Sequence, residues 1–182
     1  DLSHIQGIPY YYRQFGYEYA IPLEGGWKLE LYEVPDNIPE TDAFTLRQAT
    51  MDDIPALLQL YDDAAQDLSI SAMRDAATWN YLLGPSRETE TSAETWLVLD
   101  KDSQQAVGYW RIALHGFGEG LIISEGSKLS HAAALVALKK SKELAVEQGK
   151  PYLRLNIPRN QVLVEVARRW NASDLGTYAW QM

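Results

Sequence analysis

The sequence predicts an α/β fold in which one mixed, mostly antiparallel sheet carries helices on both faces. Three observations carry this expectation. Short segments alternate apolar and polar side chains at the two-residue period of a half-buried strand. Between them lie capped segments whose apolar residues recur at helical spacing. The elements also come in an order, strand, helix, helix, three strands, helix, strand, helix, strand, in which a meander is followed by a helical crossover to a further strand.

The first strand is expected at 44–49, where Phe44-Thr45-Leu46-Arg47-Gln48-Ala49 alternates. Thr50 with Asp53 three residues on reads as a helix N-terminus, and Ile54, Leu57, Leu58, Tyr61, Ala65 and Leu68 follow at helical spacing with Pro55 in the first turn. A second helix is expected over 72–83, presenting Trp79, Leu82 and Leu83 and stopped by Gly84-Pro85. Strands at 95–99, 106–114 and 120–124, joined by turn-forming 101–104 and 116–119, read as an antiparallel meander. Ser130 caps a long helix that ends at Gly149 before Pro151. A period-two strand at 152–157, a helix capped by Asn160 with Val162, Leu163, Val166, Ala167 and Trp170 on one side, and a strand at 177–182 complete the order.

Composition excludes several classes of function. The 182 residues are 46% apolar and 23% charged, as in an ordinary globular protein. Lys and Arg number 16 against 25 Asp and Glu, for a net charge of -9, so neither a nucleic acid nor an anionic membrane is an expected partner. There is no cysteine, hence no disulfide, thiolate nucleophile or cysteine zinc site, and the three histidines include no pair at metal-ligand spacing. No metal is expected. No apolar run is long enough to span a bilayer, and a soluble, cytoplasmic protein is the expectation.

The first 33 residues stand apart, with Tyr10, Tyr11, Tyr12, Phe15, Tyr17, Tyr19, Trp27 and Tyr32 crowded into them. Residues 34–43, polar with Pro35 and Pro39, are expected to form an extended exposed linker, and 44–182 then make one domain by length. The chain opens on Asp1, and the expectation is a slice of a longer protein.

The element order, with Leu46-Arg47-Gln48-Ala49-Thr50-Met51-Asp52-Asp53 leading into Leu57-Leu58, resembles the opening of domains in the Gcn5-related N-acetyltransferase superfamily. Residues 7–18, Gly-Ile-Pro-Tyr-Tyr-Tyr-Arg-Gln-Phe-Gly-Tyr-Glu, resemble the closing part of such a domain, where a Tyr stands four residues before a Gly-aromatic pair. The resemblance implies that 1–33 are the tail of a preceding acetyltransferase domain and 44–182 a second one, in a tandem arrangement similar to the enhanced intracellular survival proteins. It implies an acyl-coenzyme A N-acyltransferase fold, acetyl-coenzyme A as co-substrate of the parent protein, a small-molecule amine as acceptor, and Tyr12 as the general acid that protonates the departing thiolate.

The resemblance also implies that the second domain is degenerate. Where the superfamily places a Gln/Arg-x-x-Gly-x-Gly/Ala pyrophosphate cradle, this chain reads Ser124-Glu125-Gly126-Ser127-Lys128-Leu129-Ser130-His131-Ala132, without the double-glycine spacing. Gly126, Lys128 and Ser130 remain as anion-holding candidates beside an unfavourable Glu125, so the cofactor-binding residues are left unassigned. Ala167 stands where the acid Tyr would be, and Asn171 where the Gly would be. Two functions follow as alternatives: part of an N-acetyltransferase in which 44–182 shape the acceptor pocket or a homo-oligomer, or a non-catalytic interaction or ligand-binding module. On either, the chain alone is expected to be inactive and to hold no cofactor.

The remaining polar candidates have simpler expected roles. His115 and His131 read as surface or capping residues, Asp52-Asp53 and Asp62-Asp63 as solvated helix faces, and Lys139, Lys140 and Lys142 as a solvent-facing stripe. Trp79, Trp96, Trp110, Trp170 and Trp180 read as core.

Overall fold

The computed structural model describes residues 5–7, 10–38 and 42–182. Within these residues ten strands and four α-helices follow one another as β1 Gln6–Gly7, β2 Ile21–Glu24, β3 Trp27–Glu30, β4 Phe44–Gln48, α1 Ile54–Ala65, α2 Ala76–Leu83, β5 Ala93–Asp100, β6 Ala106–Ala113, β7 Leu121–Gly126, α3 His131–Glu147, β8 Tyr152–Leu155, α4 Val162–Arg169, β9 Ser173–Asp174 and β10 Thr177–Gln181. Seven strands form one sheet in the order β4-β5-β6-β7-β8-β3-β9, and a smaller sheet runs β1-β10-β2. Among the described residues only β7 and β8 pair in parallel, joined through α3, so the expected mixed, mostly antiparallel sheet is present.

Each face of the large sheet buries its own core. Leu97, Leu99 and Tyr109 pack beneath α1 and α2 against Leu57, Tyr61 and a fully buried Trp79. On the opposite face Val98, Trp110, Ile112, Ile123, Leu153 and Leu155 lie beneath α3 and α4. Period-two alternation assigns the two sets, since Leu97 and Tyr109 are cross-strand partners on one face and Trp96 and Trp110 on the other. The two indoles stack with centroids 6.0 Å apart. Trp79 and Trp110 are wholly buried, whereas Trp96, Trp170 and Trp180 are half-buried at the margins.

Several expected boundaries move for local reasons. α2 begins at Ala76, not 72, because Asp75 is its cap and accepts from the Thr78 amide at 2.7 Å. α4 is capped at Gln161, whose backbone is still extended, and not at Asn160. The expected cap of α3 is present, with Ser130 Oγ accepting from the Ala133 amide at 3.1 Å. The strand at 177–182 is present as β10, but it joins the small sheet.

Residues 34–43 depart from an exposed linker. Val34 is 1% and Ile38 7% exposed, and both belong to the core under α3. Lys142, expected on a solvated stripe, donates from Nζ to the Val34 carbonyl at 2.7 Å and pairs with Asp36 at 2.6 Å, pinning the segment to α3. Lys140 is likewise not simply solvated, because it lies 5.3 Å from the centroid of Trp96. Residues 39–41 lie outside the described residues. The segment runs between two strands of one sheet: β3, from before it, is hydrogen-bonded between β8 and β9, with Leu29 fully buried opposite Leu153.

Candidate functional site

The site is built by a β-bulge. In the β6–β7 pairing Arg111 faces Glu125 and Ile112 faces Ile123, which leaves Ser124 as one extra residue in β7. Without it Glu125 would follow Leu121 and Ile123 onto the α3 face. The bulge turns Glu125 onto the α1/α2 face, where Tyr109 and Arg111 project.

There Glu125 collects three donors. Arg74, from the segment between α1 and α2, grips it in bidentate fashion at 2.7 and 2.5 Å, and the Tyr109 hydroxyl donates at 2.7 Å. Arg111 Nη1 lies 3.9 Å from the carboxylate and its Nε donates to Thr95 at 3.2 Å, while its Nη2 has no hydrogen-bond partner in the protein. The ion pair is largely enclosed, at 14% and 20% side-chain exposure for Arg74 and Glu125, and Arg111 is at 7%. Aromatic rings complete the box: Arg74 sits 4.2 Å from the Tyr61 centroid and 5.1 Å from that of Trp79.

Burial governs the proton affinities. Loss of solvation, with the negative charge of Glu125 beside it, pushes the Tyr109 phenol far above its ordinary range. Burial lowers Arg111, offset only in part by Glu125. Burial also works against Arg74, but its hydrogen bonds and attraction to Glu125 outweigh it and raise the guanidinium overall. Tyr109 and Arg74, held protonated in this way, donate hydrogen bonds and do not exchange protons near neutrality.

Two adjoining hollows open beside this cluster and share Ala64, Leu68 and Gln161. One, about 250 Å³, lies against Tyr61, Arg74, Tyr109 and Glu125. The other, about 260 Å³, lies at the start of α3 against Asp67, Ser127, Lys128 and Leu129. The second is where the superfamily's pyrophosphate cradle is expected, and its side chains have other partners. Ser127 is 2% exposed and tied to the Tyr109 backbone, accepting from its amide at 2.8 Å and donating to its carbonyl at 3.2 Å. Leu129 is buried, so close over Gly108 that a Cβ there would stand 2.1 Å from its Cδ2. Lys128 is paired with Asp67 at 2.9 Å, Ser130 is spent on its own helix, and Gln161 Nε2 donates to the Gly126 carbonyl at 2.9 Å, closing the gap past the last β7–β8 pair.

The other candidates fall elsewhere. Tyr12 opens a 3-10 turn, Tyr12–Phe15, half-buried with its ring edge-on to Tyr11 and Tyr17, and lines neither hollow. That turn ends on Gly16 at φ +87°, and α4 ends on Asn171 at φ +62°, so Asn171 holds the left-handed position that the motif gives to glycine. Ala167, four residues before it, is fully buried. His115 and His131 are exposed, as are Asp62 and Asp63, but Asp53 is not a solvated face: it is 13% exposed and bound by Arg47 through two 2.7 Å contacts. Among the described residues no group of three or more acidic or histidine side chains is placed to hold a metal, and no helix is long and apolar enough to cross a membrane.

Arg74, Tyr109 and Arg111 were not singled out from the sequence. One signal was there: Arg111 interrupts an otherwise apolar run, Val107 to Ala113, in a strand flanked by other strands. Its carboxylate partner depends on a one-residue bulge that no local pattern announces.

No protein-family model and no curated protein sequence matches the chain. Solved structures do match in shape. A GCN5-related N-acetyltransferase from Anabaena variabilis superposes at TM-score 0.63 and 19% identity over 98% of this chain and 44% of its own. A probable N-acyltransferase from Enterococcus faecalis gives 0.64 at 14% identity, over 98% and 44%. L-PGS from Bacillus licheniformis gives 0.57 at 12% identity, over 93% and 63%. The chain thus spans less than half of the first two structures, and what it shares with them is the fold of the GCN5-related N-acetyltransferases.

Proposed function

We propose that this chain is part of an N-acetyltransferase that moves an acetyl group from acetyl-coenzyme A to a small-molecule amine, and that 44–182 are its degenerate domain, shaping the acceptor pocket or the assembly. On this reading 1–33 derive from a preceding domain in an arrangement similar to the enhanced intracellular survival proteins. Tyr12 is then the acid that protonates the coenzyme A thiolate once its own domain supplies the cradle. The fold shared with acetyltransferases supports the general reading. One observation carries the assignment of 44–182: the place for a pyrophosphate at the start of α3 is taken up by Ser127, Leu129, the Lys128–Asp67 pair and Gln161. Ala167, buried in α4 where the motif has its tyrosine, agrees with that assignment.

Two measurements test it. A thermal melt of the chain with millimolar acetyl-coenzyme A is expected to show no shift, because binding at a hundredfold excess over Kd would add about 2.7 kcal/mol of stability. A clear rise in Tm overturns the degenerate assignment. In a longer protein that includes the sequence before Asp1, Tyr12→Phe is expected to reduce acetylation of a polyamine about a hundredfold or more, as loss of a positioned acid does. Unchanged turnover removes the role of Tyr12.

A further inference from the structure

We infer that the open edge of β1 is an interaction surface for a second sheet of the same design as the large one, which adds a parallel strand there and lays the helix of its crossover over Tyr11 and Phe15. This partner presupposes the proposed origin of 1–33 in a preceding domain. The two sheets repeat one pattern. The large sheet closes on β8-β3-β9 and the small one is β1-β10-β2, with every neighbouring pair antiparallel. In each triplet the outer strands come from one stretch of chain and are joined through a helical turn, α4 for β8 and β9, Tyr12–Phe15 for β1 and β2. The middle strand comes from the other stretch, so β3 and β10 are exchanged between the sheets. Left-handed residues stand at matching places: Asn171 and Gly16 end the helical turns, and Gly176 and Gly26 precede the exchanged strands. The crossing links bond each other, the Gly25 amide donating to the Gly176 carbonyl at 2.5 Å and the Leu175 amide to the Gly26 carbonyl at 2.9 Å. Gly25 has no room for a side chain there, since a Cβ would stand 2.7 Å from that of Leu175.

The repeat specifies the partner. On its far side β8 pairs in parallel with β7, and α3, which links the two, packs on α4, whose Leu163, Val164, Val166 and Ala167 are buried. Among the described residues β1 pairs on one side alone, and the Tyr12–Phe15 turn buries nothing, with Tyr11 52% and Phe15 63% exposed. Ile5 and Met182 exchange both amide hydrogen bonds, at 3.0 and 2.9 Å, so Gln6, the next residue, turns its amide and carbonyl to the open edge. An edge that offers unpaired backbone groups beside exposed aromatic rings is a template for a further strand. A second copy set edge to edge would gain little, because β1 is two residues long and the rings would stay uncovered. A strand followed by a helix, in the places that β7 and α3 hold beside β8 and α4, satisfies the edge and covers the rings together.

Hydrogen exchange and one variant test this, in the chain and in a longer protein that includes the sequence before Asp1. The Gln6 amide is expected to exchange freely in the chain and about a hundredfold more slowly in the longer protein. Gln6→Pro removes an N–H that β10 does not use, so it is expected to leave the Tm of the chain unchanged while lowering that of the longer protein by several degrees. Equal exchange of Gln6 in both proteins overturns the inference, as does an equal effect of Gln6→Pro on both. Protection of Gln6 in the chain alone that grows with its concentration makes a second copy the occupant and overturns it too. Failure here is separable from failure of the acetyltransferase reading. An unprotected Gln6 in a longer protein whose acetylation still depends on Tyr12 removes only the β1 interface, and a protected Gln6 without acetylation removes only the activity.

Discussion

At the scale of the residue, what the sequence conceals is partnership across distance. Arg74 and Glu125 are 51 positions apart, and Glu125 was readable only as a charge unwelcome beside a phosphate. Asp53 shows the same gap at shorter range. Its spacing from Thr50 announced a helix start, and it does accept from the Thr50 amide at 2.8 Å, but Arg47 at the end of β4 binds the same carboxylate. The Arg47 hydrogen bonds, helped by those from Thr50, bring Asp53 down to about 2 from an ordinary 3.8. A carboxyl depressed in the folded state contributes stability that is fully present above its unfolded pKa and is lost as pH falls through the folded one. Asp53→Asn is therefore expected to lower stability by about 1 kcal/mol at neutral pH, the value discounted because Arg47 is 45% exposed and screened by solvent. Melts of both proteins at a series of pH values check the sign: the gap persists at pH 7 and closes between 3.8 and about 2. A gap that stays constant with pH would show that the charge of Asp53 contributes nothing.

At the scale of the element, the sequence was informative wherever one rule acts locally. The meander, the strand at 152 and the cap of α3 were all visible as alternation, turn residues and a serine before a helical run. α2 starts four residues later than its helical spacing predicts, because Arg74 and Asp75, both acceptable within a helix, bind Glu125 and cap Thr78 instead. The strands at 21–24, 27–30 and 173–174 were missed since each is short, and their pairing partners lie at the opposite end of the chain. The cap that was visible gives a quantitative check. Ser130→Ala removes the acceptor of the Ala133 amide and is expected to cost about 1 kcal/mol, with Ser130→Gly losing only a few tenths. In a domain of this size the alanine variant should melt about 2–4 °C lower. Equal losses for Ala and Gly would point to a role for Ser130 other than capping.

At the scale of the whole molecule, the aromatic first 33 residues and the conventional remainder are joined more tightly than composition suggests. β3 shields β8 along four residue pairs and carries Leu29 into the core, and Val34 and Ile38 follow it in. The hollow of about 430 Å³ between the two sheets has walls from both parts, with Arg159 held by Glu24 at 2.5 Å and by Asp174 at 3.1 Å. A chain cut to 44–182 would turn β8 into an open edge of unpaired amides and carbonyls and uncover apolar surface under α3 and α4. Burial of one leucine is worth roughly 2 kcal/mol, and three core side chains leave together with the strand that holds them, against a total stability of about 5–15 kcal/mol. The 44–182 segment is therefore expected to aggregate or to lose its cooperative melt, and a peptide spanning 20–38 is expected to restore the melt in trans. If 44–182 instead melts as sharply and as high as the whole chain, then β3 is a passive addition to a sheet that ends at β8, and residues 1–43 belong to this domain only by contact.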